Sequence, residues 1–182
     1  MEIGIILIVI LVVVLIPVIW WIRTSNDFKR KGVKIDEGLS GIEVALTKRF
    51  DMLTKLLDVT KGFAEHEKSL FVEVVELRKG MSVGELNKAV GQVDAMASRI
   101  NVVAEAYPEL RSSDVFRELQ AGIRDAEEHL QAARRLYNSG VSAFNSAIIV
   151  FPASIVANSQ RLEKREFFVM EEAKREDIAM KF

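Results

Sequence analysis

The feature that most constrains this chain is an uncharged run of 20 residues near its start, from Ile3 to Ile22. As an α-helix this run is ~30 Å long, which matches the hydrocarbon core of a bilayer. A helix that is apolar on every side is typical of a membrane span, whereas a helix at the surface of a soluble domain has one polar face. The sequence therefore predicts a transmembrane anchor over residues 1–22 and a single-pass protein of the cell membrane.

The residues that flank the run predict its orientation. Trp20 and Trp21 lie at its end, where aromatic side chains are typical of the membrane–water interface. The basic residues that follow include Arg23, Lys29, Arg30 and Lys31, whereas Glu2 is the one charged side chain before the run. By the positive-inside rule the N-terminus lies outside and the rest in the cytoplasm, with residues 23–35 as a basic stalk near the lipid headgroups. A cleaved signal peptide fits less well, because no basic segment precedes the long apolar run.

The composition beyond the run excludes several classes of protein. Residues 23–182 hold all 25 Lys and Arg and all of the 26 Asp and Glu except Glu2, so this part has no net charge. Proteins that bind nucleic acids carry a basic excess, so we expect no nucleic-acid partner. The absence of cysteine excludes disulfides, thiol nucleophiles and thiolate metal sites. Two histidines are too few for a multi-histidine centre, and we expect no metal and no cofactor.

Apolar residues then recur at seven-residue spacing, which predicts long amphipathic helices. The predicted segments are Asp36–Lys79, a second that opens at the capping-box pattern Ser82–Glu85 and ends at Pro108, and a third from Ser112 to Pro152. The third segment has one row of large side chains, Phe116, Ile123, Leu130, Tyr137, Phe144 and Phe151. Its adjacent row is small from Ala126 onward: Leu119, Ala126, Ala133, Gly140 and Ala147. Small residues allow the backbone of a partner helix to approach closely.

These segments predict an all-α fold, in which the N-terminal transmembrane helix is followed by an antiparallel up-down helical bundle. The bundle has three long helices plus a shorter C-terminal helix and resembles a four-helix bundle. Because the segments differ in length, either the first breaks near Gly62 or the C-terminal helix fills the open flank, and we favour the second arrangement. The predicted bundle covers residues 36–170, and a charged tail covers residues 171–182.

Polar residues interrupt the apolar rows at Arg49, Thr60 and Glu67. Arg49 and Glu67 are ~27 Å apart along a straight helix and cannot pair with each other. A charge at a core position needs a partner or access to solvent. These residues therefore indicate either a polar site or ion pairs within the bundle, and the ion pairs are the favoured interpretation.

No motif in the chain indicates catalysis. His66-Glu67 is followed by Lys-Ser-Leu, which is not the zinc-binding HExxH pattern. Neither histidine has a glutamate three residues before it, as a di-iron helical bundle requires. Asn138 and Asn145 each follow an aromatic residue of the large row, with Arg134 nearby, and their amides are placed to bridge to a neighbouring helix or to a second protein.

Several short motifs together resemble the LemA family. They are Lys48-Arg49-Phe50-Asp51, Val59-Thr60-Lys61-Gly62-Phe63 with His66-Glu67, Ala104-Glu105-Ala106-Tyr107-Pro108-Glu109-Leu110, Ala133-Arg134-Arg135-Leu136-Tyr137-Asn138, Phe144-Asn145, Ile148, Phe151-Pro152, Phe167-Phe168 and Phe182. Two departures are Met52-Leu53-Thr54-Lys55-Leu56, where members usually carry a Leu-Ile-Pro-Asn-Leu run, and Phe144 in place of a tyrosine. The resemblance implies a membrane-tethered helical bundle, and it implies no particular reaction.

The sequence thus favours a non-enzymatic scaffold or adaptor, which contacts the bilayer and either self-associates or binds a membrane protein. The candidate interaction residues are Arg49, Asp51, His66, Glu67, Tyr107, Pro108, Arg134, Asn138 and Asn145. The candidate membrane residues are Trp20, Trp21, Arg23, Lys29, Arg30 and Lys31. The alternative is a ligand-binding or signalling module with a polar groove around Arg49, His66 and Glu67.

Overall fold

The computed structural model describes residues 2–63, 77–78 and 80–169. Its five helices are α1 (Glu2–Phe63), α2 (Val83–Ala106), α3 (Pro108–Ser112), α4 (Asp114–Ile149) and α5 (Ala153–Ser159). The described residues contain no strand, and the predicted all-α fold is confirmed. The predicted continuation of the first segment through residues 64–76 and the tail 171–182 lie outside the described residues.

The described residues divide into two compact units. The first unit combines α1 up to Glu37 with residues 137–166, and the second combines the described residues between 38 and 136 with residues 167–169. Each unit therefore contains part of α1 and part of α4.

In the first unit α1 begins with the apolar run, whose described side chains from Ile3 to Ile19 are exposed. The run is long and apolar enough to cross a membrane, and none of it is buried inside the structure. Packing begins where the run ends, because Trp20 is half-buried and Phe28 and Ile35 are only 2 % and 3 % exposed. Residues 23–35, predicted as a stalk, are thus a helical and partly packed continuation of α1.

The same part of α1 packs antiparallel to the end of α4. The rings of Phe28 and Phe144 meet edge to face, with their centroids 6.4 Å apart. One turn earlier on α4, Gly140 lies against Ile35, and a β-carbon added at Gly140 would be 3.2 Å from Cγ1 of Ile35. In this unit the partner helix that packs on the predicted small row of α4 is therefore α1 of the same chain.

In the second unit α4 continues antiparallel to α1. Gly41 lies next to Ala133, and Gly122 lies next to the sulfur of Met52. The first five members of the large row, from Phe116 to Phe144, are buried along α4. The sixth member, Phe151, is exposed because α4 ends at Ile149.

Helix α2 begins with the capping box that the sequence predicts. The Ser82 hydroxyl accepts a hydrogen bond from the Glu85 amide, and the Glu85 carboxylate accepts one from the Ser82 amide at 2.7 Å. The hydrogen bond from the Ser82 amide is the main reason that the pKa of Glu85 lies below its ordinary value. Reciprocal bonds of this kind satisfy amides that a helix leaves unpaired at its start.

Helix α2 runs in the same direction as α1. Glu43 accepts a hydrogen bond from the Gly80 amide just before α2, and Arg49, further along α1, meets Asp94 further along α2. Helix α4 runs opposite to α2, since Gln120 donates to Asn101. A simple up-down order of three segments would make α1 and α2 antiparallel, and the link between them includes residues outside the described part of the chain.

The C-terminal helix α5 is present but has only seven residues. It ends in a Schellman motif, in which the Leu162 amide donates to the Ala157 carbonyl and the Arg161 amide donates to the Asn158 carbonyl. Arg161 occupies the left-handed position, with a φ of 53°, where glycine is usual. Residues 162–169 form no helix or strand, so in this region the expected shorter C-terminal helix is followed by a segment without regular secondary structure.

Close approach of α1 and α4 predicts that Gly140→Leu destabilises the fold. The added side chain has no room beside Ile35, and overpacking of this kind costs about 1–3 kcal/mol. The matched control is Gly32→Leu, since nothing lies within 4 Å of a β-carbon there and leucine favours the helix. Thermal unfolding of the purified protein, followed by circular dichroism, measures both. Equal melting temperatures for the two variants would contradict the close packing.

Candidate functional site

Arg49 lies inside the second unit with 7 % of its surface exposed. Its Nη1 atom is 2.7 Å from Oδ1 of Asp94 on α2 and 2.9 Å from Oε2 of Glu127 on α4. One guanidinium thus connects three helices. The arrangement agrees with the favoured interpretation of Arg49 as a member of an ion pair within the bundle.

The contacts of Arg49 act mainly through charge. Both contacts of Nη1 are short, but neither is aligned as a hydrogen bond, and Nε has no hydrogen-bond partner among the described residues. The side chains of Asp94 and Glu127 are 35 % and 34 % exposed, so water reaches the carboxylates and reduces their desolvation cost. Such a cluster fixes which residues of the three helices lie opposite one another.

Arg134 adds a second buried cation near this cluster. Its guanidinium lies over the ring of Phe168, with 5.0 Å between its central carbon and the ring centroid. Burial lowers the pKa of Arg134, and the negative charges of Glu127 and Asp94 oppose this effect. We call Arg49, Arg134, Asp94 and Glu127 the charge cluster, and its two cations balance its two anions.

Thr60 is the other described polar residue in the apolar rows. It is fully buried, and its hydroxyl finds a hydrogen-bond acceptor within α1 itself. Its hydroxyl donates to the Leu56 carbonyl of the preceding turn at 2.7 Å. Glu67 and His66 lie outside the described residues, so the structure does not place them beside Arg49.

In the first unit, Asn145 binds the backbone of the segment that follows α5, residues 162–166, which we call the C-terminal strap. The Asn145 amide nitrogen donates to the Arg165 carbonyl at 2.9 Å, and its oxygen accepts from the Arg165 amide at 2.8 Å. The hydroxyl of Tyr137 donates to the Glu166 carbonyl at 2.9 Å. Burial raises the pKa of Tyr137, which keeps this donor protonated. The partner of Asn145 is therefore the same chain.

The other predicted residues have varied positions. Asn138 is half-buried, and Asp51 is exposed beside a surface cavity of about 570 Å³. Tyr107 and Pro108 form the junction of α2 and α3, where Pro108 is the first residue of α3. Near the apolar run, Lys31 pairs with Asp27 one turn earlier, and Trp21, Arg23, Lys29 and Arg30 are exposed.

Sequence reasoning missed Asp94 and Glu127, and it named Phe168 as part of the LemA resemblance but not as a partner of Arg134. Asp94 and Glu127 each come directly after a residue of a buried row, Val93 and Ala126. An acidic residue beside a core row, on a helix that faces Arg49, was the available signal. In the described part of the chain no group of three or more His, Asp or Glu side chains is arranged to hold a metal ion.

The charge cluster predicts that Arg49→Met lowers the stability of the fold. The change leaves Asp94 and Glu127 close together without their shared cation, and we expect a loss of about 1–3 kcal/mol because both remain partly hydrated. Adding Asp94→Asn should recover part of the loss. The matched control, Lys48→Met, removes an exposed cation next in sequence and should change nothing measurable. Denaturant unfolding measures the stability of the original protein and of these three variants. An Arg49→Met variant as stable as the Lys48→Met control would exclude this role of Arg49.

The strap predicts that Asn145→Ala exposes residues 162–166 to proteolysis. Loss of these two hydrogen bonds weakens the closed state by about 1–3 kcal/mol, which makes local opening at least about fivefold more frequent. We expect trypsin to cleave after Lys164 or Arg165 correspondingly faster, with the fragments identified by mass spectrometry. Ser146→Ala, an exposed change on the same turn, is the control. Equal cleavage rates for the two variants would show that Asn145 does not hold the strap.

Comparison with known proteins places this architecture in a family. The chain is 25 % identical over 163 residues to Protein LemA of Metamycoplasma hominis, an alignment that covers 87 % of this chain and 74 % of that protein. It is 23 % identical over 159 residues to Magnetosome protein MamQ of Magnetospirillum gryphiswaldense and to Magnetosome protein MamQ 2 of Paramagnetospirillum magneticum. These two alignments cover 71 % of this chain and 58 % of each relative, a little over half of its length. The model of the LemA family matches residues 38–182, and this chain therefore belongs to the LemA family.

Proposed function

We propose that this chain is a non-enzymatic, membrane-anchored scaffold, which holds a second copy of itself or a membrane protein at the bilayer. The observation that carries the proposal is the exposed apolar run of α1, which continues without a break into packed helix. Exposed apolar surface costs roughly 25 cal/mol per Å² in water, so this run needs an apolar surrounding. The packed residues that follow in α1 attach the helical bundle directly to the anchor.

The proposed orientation places the bundle in the cytoplasm. Arg23, Lys29 and Arg30 are exposed directly after the run, whereas Glu2 is the one charged side chain on its other side. This asymmetry supports a cytoplasmic location through the positive-inside rule.

The surface available to a partner consists of the side chains that are not buried within the chain. Tyr137, Phe144 and the rest of the large row are buried inside the chain up to Phe144, so the partner cannot bind them. Arg135 and Leu136 lie on the outward side of α4, and Leu136 is 68 % exposed. An exposed leucine beside an arginine has the chemistry of an interface contact, because arginine is enriched there and leucine adds apolar area.

The non-enzymatic part of the proposal has two supports. Arg49 and Arg134 are balanced by Asp94 and Glu127 inside the second unit, an arrangement suited to holding helices together. The names of the relatives, Protein LemA and Magnetosome protein MamQ, denote no catalytic activity.

Site-specific photo-crosslinking in intact membranes tests the scaffold. A photoreactive residue replaces Leu136, and the matched control replaces Val115, which is also exposed on α4. We expect Leu136 to give one dominant protein adduct, either a second copy or one membrane protein, at several times the yield of Val115. Adducts with lipid or solvent alone at both positions would contradict the scaffold.

A second candidate function, ligand binding, has one specific observation in its favour. The cavity beside Asp51 is lined by the cations Lys48, Lys55 and Arg78 and by one further carboxylate, that of Glu43. Calorimetry of the full-length protein with inorganic phosphate tests it, and saturable binding that is lost in Lys55→Met would favour this function over the scaffold.

A further inference from the structure

The end of α4 and the start of α5 form an apolar tip, which we define as residues 149–155. Four of its large side chains are exposed, Ile149, Val150, Phe151 and Ile155, and Phe151 is 77 % exposed. The tip lies within a stretch of sequence, residues 136–160, that carries no charged side chain. Contiguous exposed apolar residues on a soluble protein mark a contact surface.

The tip lies at the level where the apolar run of α1 ends. Phe144 packs on Phe28, and α4 runs antiparallel to α1 in this unit. Five residues further on α4, at Ile149, the chain has advanced ~7.5 Å, which corresponds to Arg23 on α1.

A second contact fixes the same level independently. The side chain of Gln160 donates a 2.7 Å hydrogen bond to the hydroxyl of Ser25. The chain therefore leaves α4 near Arg23 and returns after α5 near Ser25, and the apolar tip lies between these two points. Trp20, the first half-buried residue of the apolar run, is adjacent along α1.

The direction of α5 suits an interfacial position. Its axis is bent by 95° from that of α4, and hence runs across the direction of α1. Val156 and Ala157 face inward and are buried, whereas Ile155 is half exposed. When α1 crosses the bilayer, α5 therefore lies roughly in the plane of its surface, as interfacial segments do.

The charges next to the tip match the headgroup layer. Arg23 on α1 and Arg161 just after α5 are the charged residues that border the tip along the two segments, and both are exposed cations. Cations at this depth attract anionic headgroups, while the uncharged tip avoids the cost of burying charge in lipid.

From these observations we infer that the apolar tip inserts into the interfacial layer of the same bilayer that holds α1. The inference rests on the proposed membrane anchor, and it adds a second, non-spanning lipid contact more than 120 residues later in the sequence. The occupant is lipid, because the tip continues the apolar surface of α1 at the depth of the interface. Insertion gives the first unit a defined height and rotation relative to the membrane surface.

Single-cysteine labelling of the full-length protein in liposomes tests this inference, since the chain has no native cysteine. Phe151→Cys carries an environment-sensitive fluorophore, and removal of the exposed ring disturbs little packing. Two matched variants accompany it: Val18→Cys within the apolar run, and Val33→Cys, an exposed position of α1 beyond it. Circular dichroism checks that each labelled protein keeps its helices.

The measurement is quenching by lipids that carry a spin label at a shallow position. We expect at least twofold quenching at positions 18 and 151, and none at position 33. Quenching at position 18 without quenching at position 151 overturns the inference and leaves the anchor intact. A probe at position 151 that is shielded from water yet unquenched shows that protein covers the tip, which also overturns it. Absence of quenching at position 18 contradicts the anchor itself, and with it the inference.

Discussion

The close packing of α4 against α1 is the constraint on which the rest of the structure depends. Gly140 lies tightly against Ile35 and Gly41 lies in contact with Ala133, so the two long helices approach each other along small residues. This approach aligns the large row of α4 with the core, where Leu130 is completely buried. It also places the Glu127 carboxylate within reach of Arg49. At the other end of the contact, it places the end of α4 beside the end of the apolar run.

Much of this arrangement is predictable, because periodic burial leaves a periodic sequence. The buried row from Phe116 to Phe144, the small row beside it and the capping box at Ser82 all follow from spacing and side-chain size. Phe151 continues the same spacing, yet it is exposed. The helix ends at Ile149, and beyond that point the seven-residue spacing no longer places side chains on one face. Periodicity does not say which helix end will stop a row, nor which way α2 runs relative to α1.

The candidate site was less predictable because its contacts are not periodic. The partner of Asn145 is the backbone of Arg165, twenty residues away, and a backbone contact leaves no mark on side-chain identity. Arg49 is conspicuous in the sequence as a charge in an apolar row, but its partner Asp94 becomes evident only when α2 and its direction are known. What the sequence does convey is that such a charge needs a partner on another helix.

The apolar run passes directly into packed helix, without a flexible stalk between them. Hydrogen–deuterium exchange of the full-length protein in liposomes tests it most directly, at the amides of residues 26–35. Packing of Phe28 and Ile35 predicts slow exchange there, comparable to that of residues 42–56 in the second unit. Exchange of residues 26–35 as fast as that of an unstructured peptide, while residues 42–56 stay protected, would contradict the account.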